Sequence, residues 1–95
     1  MTDLITQIQE WGLETFPEAT AQSVLLHLQE EIGELWAEVD QGTPVNEELA
    51  DCFILLIQLA RQLDLDVYEE VHKKFEINKT RTWEKVDAGF WKHVE

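Results

Sequence analysis

Apolar positions along the chain recur at helical intervals. Between Thr20 and Asp40, Leu25, Leu28, Ile32, Leu35 and Val39 step by 3, 4, 3 and 4, the spacing of a bundle seam. Thr20 offers an N-cap for that helix. Upstream, Leu4, Ile5, Ile8 and Trp11 mark the inner side of a first helix opened by Thr2 and Asp3, with Gly12 and Pro17 marking its end. Gly42, Thr43 and Pro44 break the pattern, and Asn46 suits the N-cap of a third helix predicted over residues 47–63. There Leu49, Phe53, Leu56, Ala60 and Leu63 repeat the step, while Ile54, Leu55 and Ile57 cover other sides. A helix that is apolar nearly all round is buried on all sides, and so short a chain cannot surround one. The third helix is therefore expected in an interface between copies. Asp66 and Glu69 have the capping-box spacing and open a fourth helix to about Lys79. Residues 80–95 are left open: Gly89 interrupts them, while Trp83, Phe90 and Trp91 argue for docking. No window shows strand alternation. The expectation is an all-α, four-helix bundle completed by oligomerisation.

Composition narrows the function classes. The chain has 95 residues, 44% apolar and 28% charged, which fits a single domain over residues 1–95. Its longest apolar run, Cys52 to Ile57, is far short of the roughly 20 residues that a membrane span needs. The first residues lack the basic region of a secretory signal, and one cysteine forms neither an internal disulfide nor a CxxC site. A reducing, cytoplasmic setting is expected. The net charge of −13 argues against nucleic acid as a partner, because phosphate backbones need basic neutralisation. The charge is also uneven. Residues 1–72 carry sixteen acids and one base, whereas residues 73–95 carry six bases and four acids.

The acids fall at helical spacing. Glu31, Glu34 and Glu38 lie within about 60° of one another on the helix wheel, beside the apolar seam, and His27 shares their stripe. On the next helix Glu48 and Asp51 are again three apart, and Asp51, directly before the apolar run, is expected to be partly buried. Carboxylates at this spacing are neighbours that repel unless solvated or bridged by a cation, and oxygen-only donors suit magnesium or manganese. Fourteen glutamates also produce such pairs by chance, so spacing alone leaves a solvated acidic face open. Further along, Lys74, Asn78 and Arg81 share one helix face and offer a point charge, an amide and a guanidinium fork for phosphate oxygens, although a basic helix C-terminus has the same look. A carboxylate cage with a separate phosphate clamp meets what a triphosphate requires. Trp11, Trp36 and Trp83 offer faces for a base, and His27 and Asn46 offer polar edges. Two rivals compete. A di-iron bundle needs two Glu-x-x-His motifs, and only Glu69 to His72 supplies one. An acidic module that mimics DNA or sequesters a basic partner accounts for the charge, but not for the pairing of the acids.

The motif Glu31-Ile32-Gly33-Glu34, followed after thirteen residues by Glu48-Leu49-Ala50-Asp51, resembles the ExxE and ExxD signature of the MazG-like all-α nucleoside triphosphate pyrophosphohydrolases. The surrounding LQEEIGELWAE and NEELADCFILLIQLA match beyond the acids, and Lys74 to Trp83 is similar to small phage and bacterial members. The resemblance covers roughly residues 20–85. It implies hydrolysis of a (d)NTP to a (d)NMP and pyrophosphate, with a lean towards dATP and dGTP that leaves dUTP and dCTP open, in a bacterial or phage-infected cell. It implies Mg²⁺ or Mn²⁺, with more than one ion allowed, and a homodimer or homotetramer. Glu31, Glu34, Glu48 and Asp51 would be the metal ligands, with Glu31 or Glu34 orienting the attacking water. Lys74, Asn78 and Arg81 would hold phosphates, and Trp83 and His27 would contact the nucleotide. Glu30 and Glu38 match weaker positions and stay outside that ligand set.

Overall fold

A computed structural model describes residues 2–86 and 89–94. Four helices follow in chain order: α1 (Thr2–Thr15), α2 (Ala21–Gln41), α3 (Asn46–Gln62) and α4 (Val67–Thr80). Local chemistry explains most of the boundaries. Thr20 closes a reciprocal box at the start of α2: its Oγ1 accepts from the Ser23 N–H at 3.1 Å, while the Ser23 hydroxyl accepts from the Thr20 N–H at 2.9 Å. Gly42 ends α2 with φ 76°, a left-handed turn that favours glycine. Asp66 caps α4, its carboxylate accepting from the Glu69 N–H at 3.0 Å. The start of α3 differs from expectation. Val45 takes the cap position without a side-chain bond, and Asn46 is already helical. Glu47 and Glu48 in the first turn instead set negative charge at the positive helix end. At the start of α1, the Thr2 and Asp3 side chains lie outside the described residues.

The tail departs from a purely helical reading. Trp83–Lys85 (β1) and Trp91–His93 (β2) pair antiparallel, with Glu84 opposite Lys92 and Trp83 opposite His93. Strands of three residues are too short for alternation to register in the sequence. Such a hairpin is marginal alone. It is tied to α4 by the Trp83 indole N–H, which donates to the Asn78 carbonyl at 3.0 Å, and its two strands are braced by an edge-to-face contact of Trp83 with His93.

The core lies between α2 and α3, where Val24 and Leu28 meet Cys52 and Leu55, with Ala19, Leu35 and Leu59 packed around them. Helix α1 lies against α3, and α4 makes its main helical contact with α3. The inward row of α2 is therefore Val24, Leu28, Glu31, Leu35 and Glu38, and that of α3 is Glu48, Cys52, Leu55 and Leu59. This shifts the expected seams. Within one chain Leu25, Ile32, Val39, Leu49, Phe53, Leu56 and Leu63 are exposed, Phe53 by 60% and Val39 by 64%. Of the predicted rows only Leu28 and Ala60 are buried, with Leu35 half-buried. The helices carry two apolar faces, and periodicity does not say which one a single chain uses. The radius of gyration, 15.7 Å, exceeds the roughly 12 Å of a compact chain of this length. No helix among the described residues is long and apolar enough to cross a membrane.

Candidate metal and nucleotide site

Where α2 and α3 face each other, their inward rows carry acids instead of apolar side chains. Glu31 and Glu48 are half-buried, Glu34 stands at the exposed edge, and one carboxylate oxygen from each lies within 4.8 Å of the others. Asp51 does not join that group. It is exposed rather than partly buried, because the inward row of α3 runs through Glu48, Cys52 and Leu55, and Asp51 sits on its flank. From there it lines a cavity together with Glu31 and His27. The His27 Nε2 is 3.8 Å from Glu31 Oε1, too long for a direct hydrogen bond.

The electrostatics are those of crowded carboxylates. Glu31 is pushed up to about 7, first by its hydrogen bond with Glu48, then by burial and by the charges of Glu34 and Glu48. Glu38 is also raised, by burial and by Glu48, Glu34 and Glu47. Glu31 Oε2, Glu38 Oε1 and Glu48 Oε2 are buried without a hydrogen-bond partner. Ionised carboxylates only accept, so these groups cannot satisfy one another except through a shared proton or a shared cation. Among the described residues no lysine or arginine pairs with them; the lysine ion pairs fall within α4, between Lys73 and Glu69 or Glu70 and between Lys79 and Glu76. Oxygen-only donors with orphaned lone pairs fit a hard divalent cation such as Mg²⁺ or Mn²⁺. Cys52, beside them, is buried with a raised thiol pKa, caused first by burial and then by Glu31, Glu48 and Asp51. It belongs to the core.

Two cavities flank the carboxylates. The larger, about 340 Å³, lies between α1, α2 and α3; Trp11 and Phe16, edge to face at 5.4 Å, line it with Gln58. The smaller, about 210 Å³, is lined by Glu38, Glu48 and Asn46 among others. Neither is lined by Lys74, Asn78, Arg81 or Trp83. Asn78 and Arg81 are half-buried at the end of α4, where the Arg81 N–H donates to the Asn78 carbonyl. Within one chain the basic face and the acidic cluster thus belong to separate places. Sequence reasoning placed Glu38 on the acidic stripe but outside the ligand set, and it passed over Gln58. The signal for Glu38 was its seven-residue step from Glu31, which puts both on one inward row. Nothing in the periodicity marked Gln58.

The sequence model of the dATP/dGTP pyrophosphohydrolase family matches residues 4–94. A dATP/dGTP diphosphohydrolase of Cyanophage S-2L is 34% identical over 94 residues, covering 99% of this chain and 88% of that protein. A dATP/dGTP diphosphohydrolase of Salmonella phage PMBT28 is 32% identical over 96 residues, and the match spans 31% of its length. Among solved structures, the Cyanophage S-2L MazG-like pyrophosphohydrolase, bound to dGDP and three catalytic Mn²⁺ ions per active site, superposes with a TM-score of 0.83 at 33% identity, covering 99% of this chain and 96% of that one.

Proposed function

Because the chain belongs to the dATP/dGTP pyrophosphohydrolase family, we propose that it hydrolyses purine deoxynucleoside triphosphates to the monophosphate and pyrophosphate in a divalent-cation-dependent reaction. The observation that carries this reading is the meeting of Glu31, Glu34 and Glu48 within 4.8 Å, with orphaned buried oxygens on Glu31 and Glu48. These three would hold the cation, with Asp51 completing the set from the cavity side. When bound, the cation neutralises phosphate oxygens and lowers the pKa of a coordinated water. Glu31 or Glu34 would orient the attacking water and take up its proton. The water oxygen bonds to the α-phosphorus, the α–β bridging oxygen leaves with pyrophosphate, and the base lies towards His27 and the larger cavity.

The leaving group needs positive charge. Lys74 and Arg81 would supply it, with the neutral Asn78 amide as a further donor, but none of the three lines either cavity of its own chain. The exposed apolar rows on α2 and α3 offer the answer: a homodimer or homotetramer buries them and brings the basic face of α4, with Trp83, to the carboxylates of a neighbouring copy. Residues 1–95 would act as one catalytic unit in the cytoplasm of a phage-infected cell. The test is incubation with each dNTP and Mg²⁺ or Mn²⁺, followed by quantification of monophosphate and pyrophosphate. Equimolar release from dATP and dGTP is expected, and no turnover of any nucleotide would contradict the reading.

A further inference from the structure

We propose that the β1–β2 hairpin docks on the back of α2 in a second copy of the chain, with Trp91 packed over Gly33 and Lys85 set against Glu30 or Asp40. The inference rests on the assembly proposed above and names the surfaces that form one of its contacts. The hairpin needs a cover. A two-stranded ribbon holds in water only when a further strand or a helix packs on it. All six strand residues are exposed, Trp91 by 56%, and Phe90 beside them by 61%. The hairpin meets the helical body through the Trp83 indole on the last turn of α4. Residues opposite one another in the ladder share a face, so Trp83, Lys85, Trp91 and His93 lie on one side, and Glu84 and Lys92 on the other. The second side balances its own charge. The first is aromatic and basic, with no acid.

Helix α2 presents the complement. Its inward row faces α3, and on the opposite side Leu26, Glu30, Gly33, Trp36 and Asp40 fall within about 120° of one another. All five are exposed, and at 76% Trp36 is the most exposed of the large apolar side chains described. Gly33 sits inside the helix, where glycine is unfavourable. A Cβ added there would meet nothing within 4 Å, so packing within the chain gives no reason for it. The close approach of an indole from outside the chain gives one. Charge selects the occupant. Residues 1–72 carry sixteen acids and one base, and residues 73–95 six bases and four acids, so the hairpin end of one copy matches the helical body of another. Among the described residues Lys85, Glu30 and Asp40 make no ion pair within the chain. Lys85 lies directly opposite Trp91 in the ladder. Glu30 and Asp40 stand about 15 Å apart along α2, on either side of Gly33, so a base beside Trp91 reaches one of them. Helix α4 packs on α3, whereas the back of α2 faces away from α3, so the hairpin that reaches it belongs to another copy. Gly33 adjoins Glu34, and the docked hairpin therefore carries Arg81 towards the carboxylates of that copy.

A carbodiimide joins a lysine to a carboxylate only where the two touch. The full chain is treated with it, covalent dimer and monomer are separated under denaturing conditions, and the linked peptides of each are sequenced. Lys85 joined to Glu30 or Asp40 in the dimer, and not in the monomer, is the expected result. Sedimentation velocity over a dilution series then follows Lys85→Glu, Glu30→Lys with Asp40→Lys, all three changes together, Trp91→Glu and Gly33→Ala. Each charge reversal should weaken association about tenfold, and the combined variant should restore it. Gly33→Ala should weaken association while helical circular dichroism is kept, because alanine favours the helix. A covalent dimer without the Lys85 link, the same link in the monomer, or a wild type that stays monomeric overturns the proposal. So does unaltered association in both Trp91→Glu and Gly33→Ala. The interchain link without turnover of any nucleotide supports the docking and contradicts the hydrolysis reading; turnover without the link does the reverse.

Discussion

The raised pKa of Glu31 makes cation affinity depend on pH in a range where carboxylates are ordinarily silent. Glu31 is held at about 7 instead of 4.5 by the Glu48 hydrogen bond, by burial and by two neighbouring charges. A cation must displace that proton, so the apparent Kd exceeds the intrinsic one by a factor of 1 + 10^(pKa − pH). With a pKa near 7 the factor is about 11 at pH 6 and about 1.1 at pH 8, a tenfold change; with an ordinary value it stays within roughly 5% of unity over the same range. Free Mn²⁺ measured by electron paramagnetic resonance at pH 6, 7 and 8 reports it directly. Affinity should rise about tenfold from pH 6 to pH 8, and the dependence should flatten in Glu48→Gln, which removes a charge next to Glu31. A wild-type affinity that changes less than twofold would refute the reasoning. The same shift sets the stability of the metal-free protein. A carboxyl that binds its proton more tightly when folded stabilises the fold below the unfolded pKa, and that contribution is lost as pH rises through about 7. In chelator the melting temperature should therefore fall between pH 5 and pH 8, and Mn²⁺ should reverse the trend.

Glu34→Gln and Asp51→Asn should each abolish turnover with helical circular dichroism unchanged, and wild-type rates in both would contradict the site assignment. Arg81→Ala should lower kcat/KM by about 1–3 kcal/mol, the scale of a lost charge-assisted bond, and an unchanged value would remove Arg81 from the site. Phe53→Glu places a charge on the exposed row of α3, so light scattering should show a smaller particle than for the wild type. An unchanged mass would take that row out of the interface. Leu28→Ala, in the core, should cost about 2–5 kcal/mol in urea unfolding, and a cost under about 0.5 kcal/mol would contradict the packing described for α2 and α3.

The helices and the carboxylates were legible in the sequence for physical reasons. Caps such as Thr20 and Asp66 act locally, and acids three and seven residues apart must share a helix face. The inward rows were harder to read. Glu31, Glu38 and Glu48 occupy core-facing positions, where a hydrophobic pattern registers gaps, so the periodicity favoured the outer row of Leu25, Ile32 and Val39. The hairpin of Trp83–Lys85 and Trp91–His93 depends on docking to Asn78, a contact set by the end of α4 and not by strand pattern. Gln58 sits in an apolar helix as an ordinary polar residue. Its burial follows from tertiary packing, which brings Gly12 of α1 against its amide.

The central claim is that carboxylates of α2 and α3 gather around divalent cations that receive the nucleotide. Anomalous diffraction from a crystal soaked with Mn²⁺ and a non-hydrolysable purine deoxynucleotide measures this directly. Manganese peaks in bonding contact with Glu31, Glu34 and Glu48, and with phosphate oxygens, are the predicted result. Peaks elsewhere, or a nucleotide bound with no peak at those three side chains, would contradict the account.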